Sequence, residues 1–416
     1  MTNELVLTSG QQNALEKFGR FLVDPIETVF LLGGYSGTGK TTLVKHLLGQ
    51  LEDFMQTVRL IDPSAPDYIV ALTATTNKAA EAFAQLSGQA VTTIHSFLGL
   101  RVQTDYSTGK SSLVSKHHER KRGYLLFIDE ASYVDSDLLS LIFQLTEKCK
   151  IVFMGDPAQL TPVMASNTPV FSSHFQGAHL DQVVRQAENN PIVDLSTRFR
   201  NTVNTGEFFN FIPDGKAIKH LSREAFNMAI QDEFIRPDWR YQDSKILAWT
   251  NKCTIDYNHA VRDHVKGDPN FQVGDYAVVN KFVTDMGGVS FKTDQLVLIT
   301  EISEETQQYG VKGHFFTLDG RSSLFCPSSL AEKNALIKHS RVNNAVSTLA
   351  NIETRWVDLR AAFACTINKA QGSTFDRVFI DLDDIRRCNS GDQIARMLYV
   401  GVSRARHQVF FTGDIA

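Results

Sequence analysis

Short apolar runs alternate with amphipathic stretches through the first half of the chain. Val29–Gly33, Tyr68–Thr73, Tyr124–Asp129 and Lys150–Gly155 read as strands. Helices are predicted from about Ser9 to Leu22, Lys40 to Leu51, Asn77 to Leu86 and Ser136 to Leu145. Thr8 or Ser9 is placed to cap the first helix, and Pro25 lies just past its end. This alternation predicts a parallel sheet flanked by helices. It returns later, with strands at Lys245–Trp249, Arg360–Thr366, Arg377–Leu382 and Gln408–Thr412 and helices at Asn251–His264 and Gln393–Ser403. Two αβ halves are therefore expected. Two stretches break the pattern: polar, turn-rich Gly99–Gly123, and Phe271–Asn343, where β-type runs (Tyr276–Val279, Leu296–Ile302, His314–Leu318) between Gly and Asp turns predict a small inserted β-barrel.

Composition narrows the class. The 416 residues suggest two or three domains at roughly 150 residues each. A 43% hydrophobic content supports a sizeable core and excludes wholesale disorder. Formal charge is 42 − 46 = −4, which excludes an evenly basic coat but permits a local basic channel for nucleic acid. One basic run stands out, Lys116-His-His-Glu-Arg-Lys-Arg122, with a formal charge of 4 − 1 = +3; it reads equally as a DNA-steering patch or a solvated loop. The five scattered cysteines fit neither zinc spacing nor a disulfide framework. No signal peptide is legible at the start, and runs such as Val29–Leu32 fall far short of the ~20 residues of a membrane span. A soluble cytoplasmic protein without a membrane partner is expected.

Gly34-Tyr-Ser-Gly-Thr-Gly-Lys-Thr41 matches GxxxxGK[ST] and lies after an apolar strand and before a helix, where its mechanism requires. In such a loop, backbone amides of residues like Gly34, Ser36, Gly37, Thr38, Gly39 and Thr42 wrap phosphates at a helix N-terminus. Lys40 would reach the β- and γ-phosphates, and Thr41 would place a hydroxyl on Mg²⁺. Leu125-Leu-Phe-Ile-Asp129-Glu130 ends a strand in two acids. Asp129 suits the metal role and Glu130 the general base for hydrolysis by water. Gln159, in Gly155-Asp-Pro-Ala-Gln159-Leu-Thr-Pro162, offers a γ-phosphate sensor, and Arg185 and Arg404 are arginine-finger candidates. The segments Asn77-Lys78-Ala-Ala80, Asn251-Lys252-Cys-Thr254 and Asn368-Lys369-Ala-Gln371 all lack the fourth-place Asp of guanine-specific loops, which favours ATP.

Read in order, these segments resemble superfamily 1 nucleic-acid helicases, and within them the RecD-like (1B) branch. Leu7–Ala14 resembles the Q motif, in which Gln11 would read adenine; Gly34–Thr41 resembles motif I and Ala74–Ala80 motif Ia. Thr93–Ser96, Asp129–Ser132, Gly155–Pro162 and Leu180–Gln186 are similar to motifs Ib, II, III and IV. Ala248–Lys252 is similar to the strand end that grips DNA, Ala364–Ser373 to motif V and Tyr399–Arg406 to motif VI. Three positions depart from the pattern: Thr75 stands where Pro is usual, Asn368 where His is usual, and Asp294 where Gly is more common.

The resemblance implies an α/β fold of two RecA-like P-loop domains with ATP between them. Domain 1A would span 1–183 with a β-hairpin pin at 98–123, domain 2A would span 184–270 and 344–416, and an SH3-like insertion would occupy 271–343. Gly372 and Arg404 would serve the nucleotide from the second domain. Thr76, Asn77 and His95 in the first domain, with Asn251, Asn368 and Ser373 in the second, would contact phosphates and sugars of single-stranded DNA without reading sequence. The short span between motifs Ib and II suits the branch that moves 5′ to 3′. The implied activity is ATP-dependent 5′-to-3′ unwinding at single-strand/duplex junctions by a monomer, with replication or recombination proteins as partners. A translocase that strips proteins without unwinding, a P-loop kinase and a DNA-binding module with a decayed ATPase remain alternatives.

Overall fold

The computed structural model describes residues 7–63, 66–104, 111–115, 119–161, 168–182, 190–268 and 270–415. The chain divides into two compact units, the first comprising 1–102, 113–210 and 395–403, the second 103–112, 211–394 and 404–416.

The first unit is built on a six-stranded sheet: β1 (Val29–Gly34), β2 (Ile69–Ala74), β3 (Val91–Thr93), β4 (Tyr124–Asp129), β5 (Lys150–Gly155) and β6 (Gly177–Leu180). Their order is β6-β1-β5-β4-β2-β3, and every pairing is parallel. The central strands read as continuous apolar runs because both faces are covered. Phe127 packs with Phe18, Phe30, Leu43 and Phe83 on one face, while Leu126 and Ile128 join Ile94, Leu138 and Phe153 on the other. The short β3 and β6 carried no pattern of their own, and the helix expected from Lys40 to Leu51 is two, Lys40–Gly49 and Leu51–Ile61, broken at Gln50. Thr8 caps the first helix, Ser9–Val23, in a reciprocal capping box with Gln11.

Strands Leu100–Thr104 and Ser111–Ser115 form a separate two-stranded sheet. Lys116, His117 and His118 of the basic run lie outside the described residues. Arg120 and Arg122 both pair with Glu147, at 3.8 and 3.0 Å, so part of that run's charge is met within the unit.

The second unit has a five-stranded parallel sheet of β7 (Ile218–Leu221), β8 (Ser244–Ala248), β9 (Ala364–Thr366), β10 (Phe375–Asp381) and β11 (Ala405–Thr412) in the order β7-β11-β10-β8-β9. Its core includes Phe226, Phe234, Ile246, Phe363 and Phe379, with Phe379 stacked on Phe410 at 4.5 Å. An antiparallel sheet is inserted between β8 and β9, with strands Tyr276–Val279, Leu296–Ile302, Thr306–Gln308, Val311–Leu318 and Ser322–Pro327.

Two differences from the sequence expectation have clear causes. The strand expected at Arg360–Thr366 is two strands, because the chain passes there from one sheet to the other. Leu359–Ala361 pairs antiparallel with Tyr276–Val279, whereas Ala364–Thr366 pairs parallel with β8. The inserted body therefore continues beyond residue 343, and fully buried Trp356 packs on Phe325 at 4.7 Å. Residues 190–210, expected in the second half, lie in the first unit, where the Pro191–Thr205 helix buries Ile192, Leu195 and Phe199. Among the described residues no helix is long and apolar enough to cross a membrane, and all five cysteines are free thiols.

Candidate nucleotide site and nucleic-acid contacts

In the first unit the carboxyl ends of parallel strands gather the candidate residues along one sheet edge, the usual ligand-binding edge of such sheets. The phosphate loop leaves β1, Thr75–Asn77 follow β2, Asp129 and Glu130 close β4, and Asp156–Gln159 follow β5. Gly37 and Gly39 both take φ of +81°, which a side chain would strain. At Gly39 a Cβ would also lie 2.6 Å from Gln11 Nε2. Lys40 Nζ donates to the carbonyls of Gly34 (2.6 Å) and Tyr35 (2.9 Å), folding the ammonium onto its own loop. Thr41 and Thr42 open the helix that follows.

Gln11 is buried and braces this loop. Its Oε1 accepts from Thr8 N–H at 3.0 Å, and its Nε2 donates to the Thr38 carbonyl at 3.2 Å. An amide has two lone pairs and two hydrogens, so each end keeps capacity for a base. Thr38 holds the turn by donating to the Tyr35 carbonyl at 2.8 Å. The Tyr35 ring lies beneath the Arg200 guanidinium, 3.8 Å away, with His179 edge-on at 4.7 Å.

Asp129 Oδ1 accepts the Glu130 N–H at 2.9 Å. Burial, then the neighbouring Glu130 charge, pushes the Asp129 carboxyl up to about 7, against the Glu130 N–H and Lys40, which lower it. Glu130 itself has φ 55° and ψ 45°, a left-handed conformation that is costly for a residue with a side chain and recurs at functional sites.

Gln159 is buried, and its Nε2 lies 3.5 Å from Asp156 Oδ2. Asp156 accepts the Ala158 N–H through Oδ1 and the Tyr399 hydroxyl through Oδ2. The same tyrosine oxygen accepts the Ser36 N–H at 3.0 Å. Arg396 donates to the carbonyls of Pro157 and Gln159, each at 2.7 Å. Residues 395–403 thus complete the first unit by joining the phosphate loop to the Asp156–Gln159 turn. In the sequence Tyr399 stands out only within a motif, and Arg396 and Arg200 carry no mark of a site role. An apolar helix, Gly391–Ser403, carries no signal that one hydroxyl reaches a loop 363 residues away.

The first-unit nucleic-acid candidates also converge. Thr76 caps the Asn77–Ser87 helix by accepting from Ala79 N–H, and His95 lies in the short helix after β3, whose Thr93 pairs with Ala74 of β2. Burial lowers the His95 pKa against the opposing pull of Asp135, which disfavours the charged ring there.

In the second unit the candidates separate. Asn251 and Asn368 follow the carboxyl ends of β8 and β9, which are neighbours through Ala248 and Thr366. Gly372 and Ser373 precede β10, and Arg404 precedes β11, so these three sit at the amino end of the sheet. Arg404 is buried and donates to the Ser373 carbonyl at 3.1 Å, while Gly372 turns the chain at φ +76°. Ser373 is therefore grouped with Arg404 rather than with the two asparagines. Lys369, beside Asn368, reaches Asn280 Oδ1 (2.5 Å) and Asp294 Oδ1 (2.8 Å) of the insertion. Asp294 tolerates φ of +63° where glycine would serve conformation alone. Arg185 lies outside the described residues.

The family described as AAA domain matches residues 6–222, and the UvrD-like helicase C-terminal domain matches residues 361–412. The chain is 25% identical to the ATP-dependent DNA helicase dda of Enterobacteria phage T4, over 97% of this chain and 99% of that protein. It is 26% identical to the RecBCD enzyme subunit RecD of Buchnera aphidicola, over 98% of this chain and 74% of the relative. A solved structure of two Pif1 helicases coordinating at forked duplex DNA shares the fold, with a TM-score of 0.50, 17% identity and coverage of 98% and 92% of the two chains. With a phosphate loop, a paired-acid strand end and a second parallel αβ unit in one chain, and with the first family covering half its length, the chain belongs to the AAA-domain family and is homologous to the phage T4 dda helicase and the RecD subunit.

Proposed function

We propose that this chain is an ATP-dependent DNA helicase that moves 5′ to 3′ on single-stranded DNA and separates duplex. The observation that carries the reading is the common sheet edge of the first unit, where the Gly34–Thr41 loop, Asp129, Glu130 and Gln159 follow parallel strands. Lys40 exchanges its loop carbonyls for phosphate oxygens, the loop amides and helix N-terminus hold the β- and γ-phosphates, and Glu130 takes the proton of the attacking water. Gln159 senses the γ-phosphate, and Arg404, with Arg185, supplies transition-state charge.

Thr41 and Asp129 are the residues that would hold Mg²⁺. A hydroxyl and a carboxylate suit a hard cation that keeps waters and phosphate oxygens as its remaining ligands, and a carboxyl raised by burial and a neighbouring acid favours a cation beside it. When bound, Mg²⁺ supplies charge neutralisation on the phosphates.

Thr76, Asn77 and His95 form one DNA grip and Asn251 and Asn368 another, while Ser373, expected with the second grip, stands with Arg404. The two-stranded sheet at 100–115 acts as the pin, and the antiparallel insertion is an SH3-like body. The track and the substrate are single-stranded DNA and its junction with duplex, as the named helicase relatives support. A cytoplasmic monomer serving replication or recombination fits the likeness to the phage and RecD relatives. A translocase that strips proteins without unwinding has the same residues and is the second reading.

The test is ATP hydrolysis with and without oligonucleotide, together with unwinding of duplexes bearing a 5′ or a 3′ single-stranded tail. Strong stimulation with unwinding from the 5′ tail alone is expected. Unwinding from the 3′ tail alone would overturn the polarity, stimulation without unwinding would favour the stripping translocase, and no stimulation would overturn the motor.

A further inference from the structure

Thr75 occupies an unusual place between the strand that leads to the nucleic-acid candidates and the acid assigned to water activation. It is buried, at 8% exposure. Its N–H donates to the Asp129 carbonyl at 3.2 Å, and its hydroxyl donates to the Glu130 carbonyl at 3.1 Å. One residue therefore holds the peptide oxygens on both sides of the Glu130 Cα.

Glu130 needs such support. Its φ of 55° and ψ of 45° lie in a region that disfavours a residue with a Cβ, and the conformation persists only when its surroundings over-determine it. Other restraints include the Glu130 N–H on Asp129 Oδ1 (2.9 Å) and the Tyr133 N–H on the Glu130 carbonyl (3.1 Å). These two come from the Glu130 loop itself. Thr75 supplies the bonds from a different strand, and β2 and β4 are in register there, with Ala74 opposite Asp129. The next residue, Thr76, caps the Asn77–Ser87 helix and is the first of the DNA candidates. A proline at position 75 would have neither donor.

We infer that Thr75 is a positioning residue for hydrolysis: its hydroxyl fixes the left-handed backbone of Glu130 and so aims the carboxylate at the attacking water. The inference rests on the reading of Glu130 as the base. A rotation of that peptide moves the carboxylate without touching the phosphate loop, so the loss falls on turnover and not on ATP affinity.

The test compares the Thr75→Val, Thr75→Ser and Glu130→Gln variants of the full chain for kcat and KM of ATP hydrolysis on saturating single-stranded DNA, with the thermal midpoint recorded for each. Thr75→Val keeps the shape and removes the donor. Its kcat is expected to fall about tenfold with KM within about twofold, and Thr75→Ser is expected to restore kcat to within about twofold of the parent, as one hydrogen bond restored would do. A valine variant with parental kcat, or a serine variant as slow as valine, would overturn the inference. A KM that rises while kcat holds would do the same. Should the valine chain not fold, Thr75→Ala carries the same comparison. Glu130→Gln separates the two claims: if it turns over like the parent, the base assignment is wrong, whereas an inactive Glu130→Gln beside a fully active Thr75→Val refutes the positioning role alone.

Discussion

Removing one oxygen atom from Tyr399 tests whether residues 395–403 hold the first unit's loops together. In Tyr399→Phe the ring, 2% exposed, keeps its packing while two hydrogen bonds vanish. Asp156, 1% exposed, loses the donor to its Oδ2 and keeps only Ala158 N–H at 2.9 Å and the long Gln159 contact at 3.5 Å. The Ser36 N–H loses the tyrosine oxygen that accepts it at 3.0 Å. A hydrogen bond to a charged group contributes about 1.5–3 kcal/mol and a neutral one about 1 kcal/mol. Their sum is about 2.5–4 kcal/mol, and water reaching the half-buried Ser36 amide lowers it toward about 2–3 kcal/mol. For a unit of about 200 residues, 1 kcal/mol corresponds to about 2–4 °C in Tm, so a drop of about 4–12 °C is expected. The assay is calorimetry with tryptophan fluorescence recorded in parallel. All three tryptophans, Trp239, Trp249 and Trp356, lie in the second unit, so a shift confined to the first unit moves the calorimetric transition and leaves the fluorescence transition in place. A double-mutant cycle with Asp156→Asn should recover a coupling of about 1 kcal/mol or more. A Tyr399→Phe chain whose transition moves by less than about 1 °C, or additive effects in the cycle, would refute the reasoning.

Three further outcomes are expected. Lys40→Ala should fold normally and lose ATP hydrolysis by about a hundredfold or more, and near-parental turnover would remove the phosphate-loop assignment. Arg404→Ala should bind ATP yet lose DNA-stimulated hydrolysis by about a thousandfold, measured against Arg404→Lys as a charge-retaining control; retained stimulation would refute the finger role. The third concerns acid stability. Burial raises the Asp381 pKa, but hydrogen bonds from Arg223 and Tyr257 and the Arg223 charge outweigh it and hold the carboxyl below the usual range. A depressed carboxyl contributes stability that is present above the unfolded value of about 3.9 and is lost as pH falls through the folded pKa. Arg223→Met should therefore move the acid-unfolding midpoint of the second unit, followed by tryptophan fluorescence, to higher pH, and an unchanged midpoint would show that the pair contributes nothing.

The local sequence determined a great deal, because its signals act over a few residues. An apolar run followed by glycines, Lys40 and Thr41 specifies strand, phosphate loop and helix. The left-handed Gly37 and Gly39 are positions where a Cβ would cost conformational energy whatever the rest of the chain did. Paired acids at the end of a buried strand, and Thr8 with Gln11 as a capping box, are legible for the same reason. Even so, Gln11 could be read only as an adenine contact, and its hold on Thr38 depends on a fold that brings residues 27 apart together.

Tertiary structure alone decided the rest. Periodicity reports that a segment is buried, not which sheet buries it, so Leu359–Ala361 and Ala364–Thr366 looked like one strand until each found its own partners. Helix 191–205 was equally apolar for either unit, and its packing placed it in the first. Strand order set Ser373 beside Arg404 and away from Asn251, since a parallel connection returns the chain to the amino end of the sheet. The same holds for Thr75 and Tyr399. A threonine at a strand end and a tyrosine in an apolar helix are ordinary residues until neighbouring strands and loops bring the Glu130 carbonyl, Asp156 and the Ser36 amide within hydrogen-bond reach. Side-chain chemistry is written residue by residue, whereas a hydrogen bond across 363 positions exists only after the sheet has fixed where both ends lie.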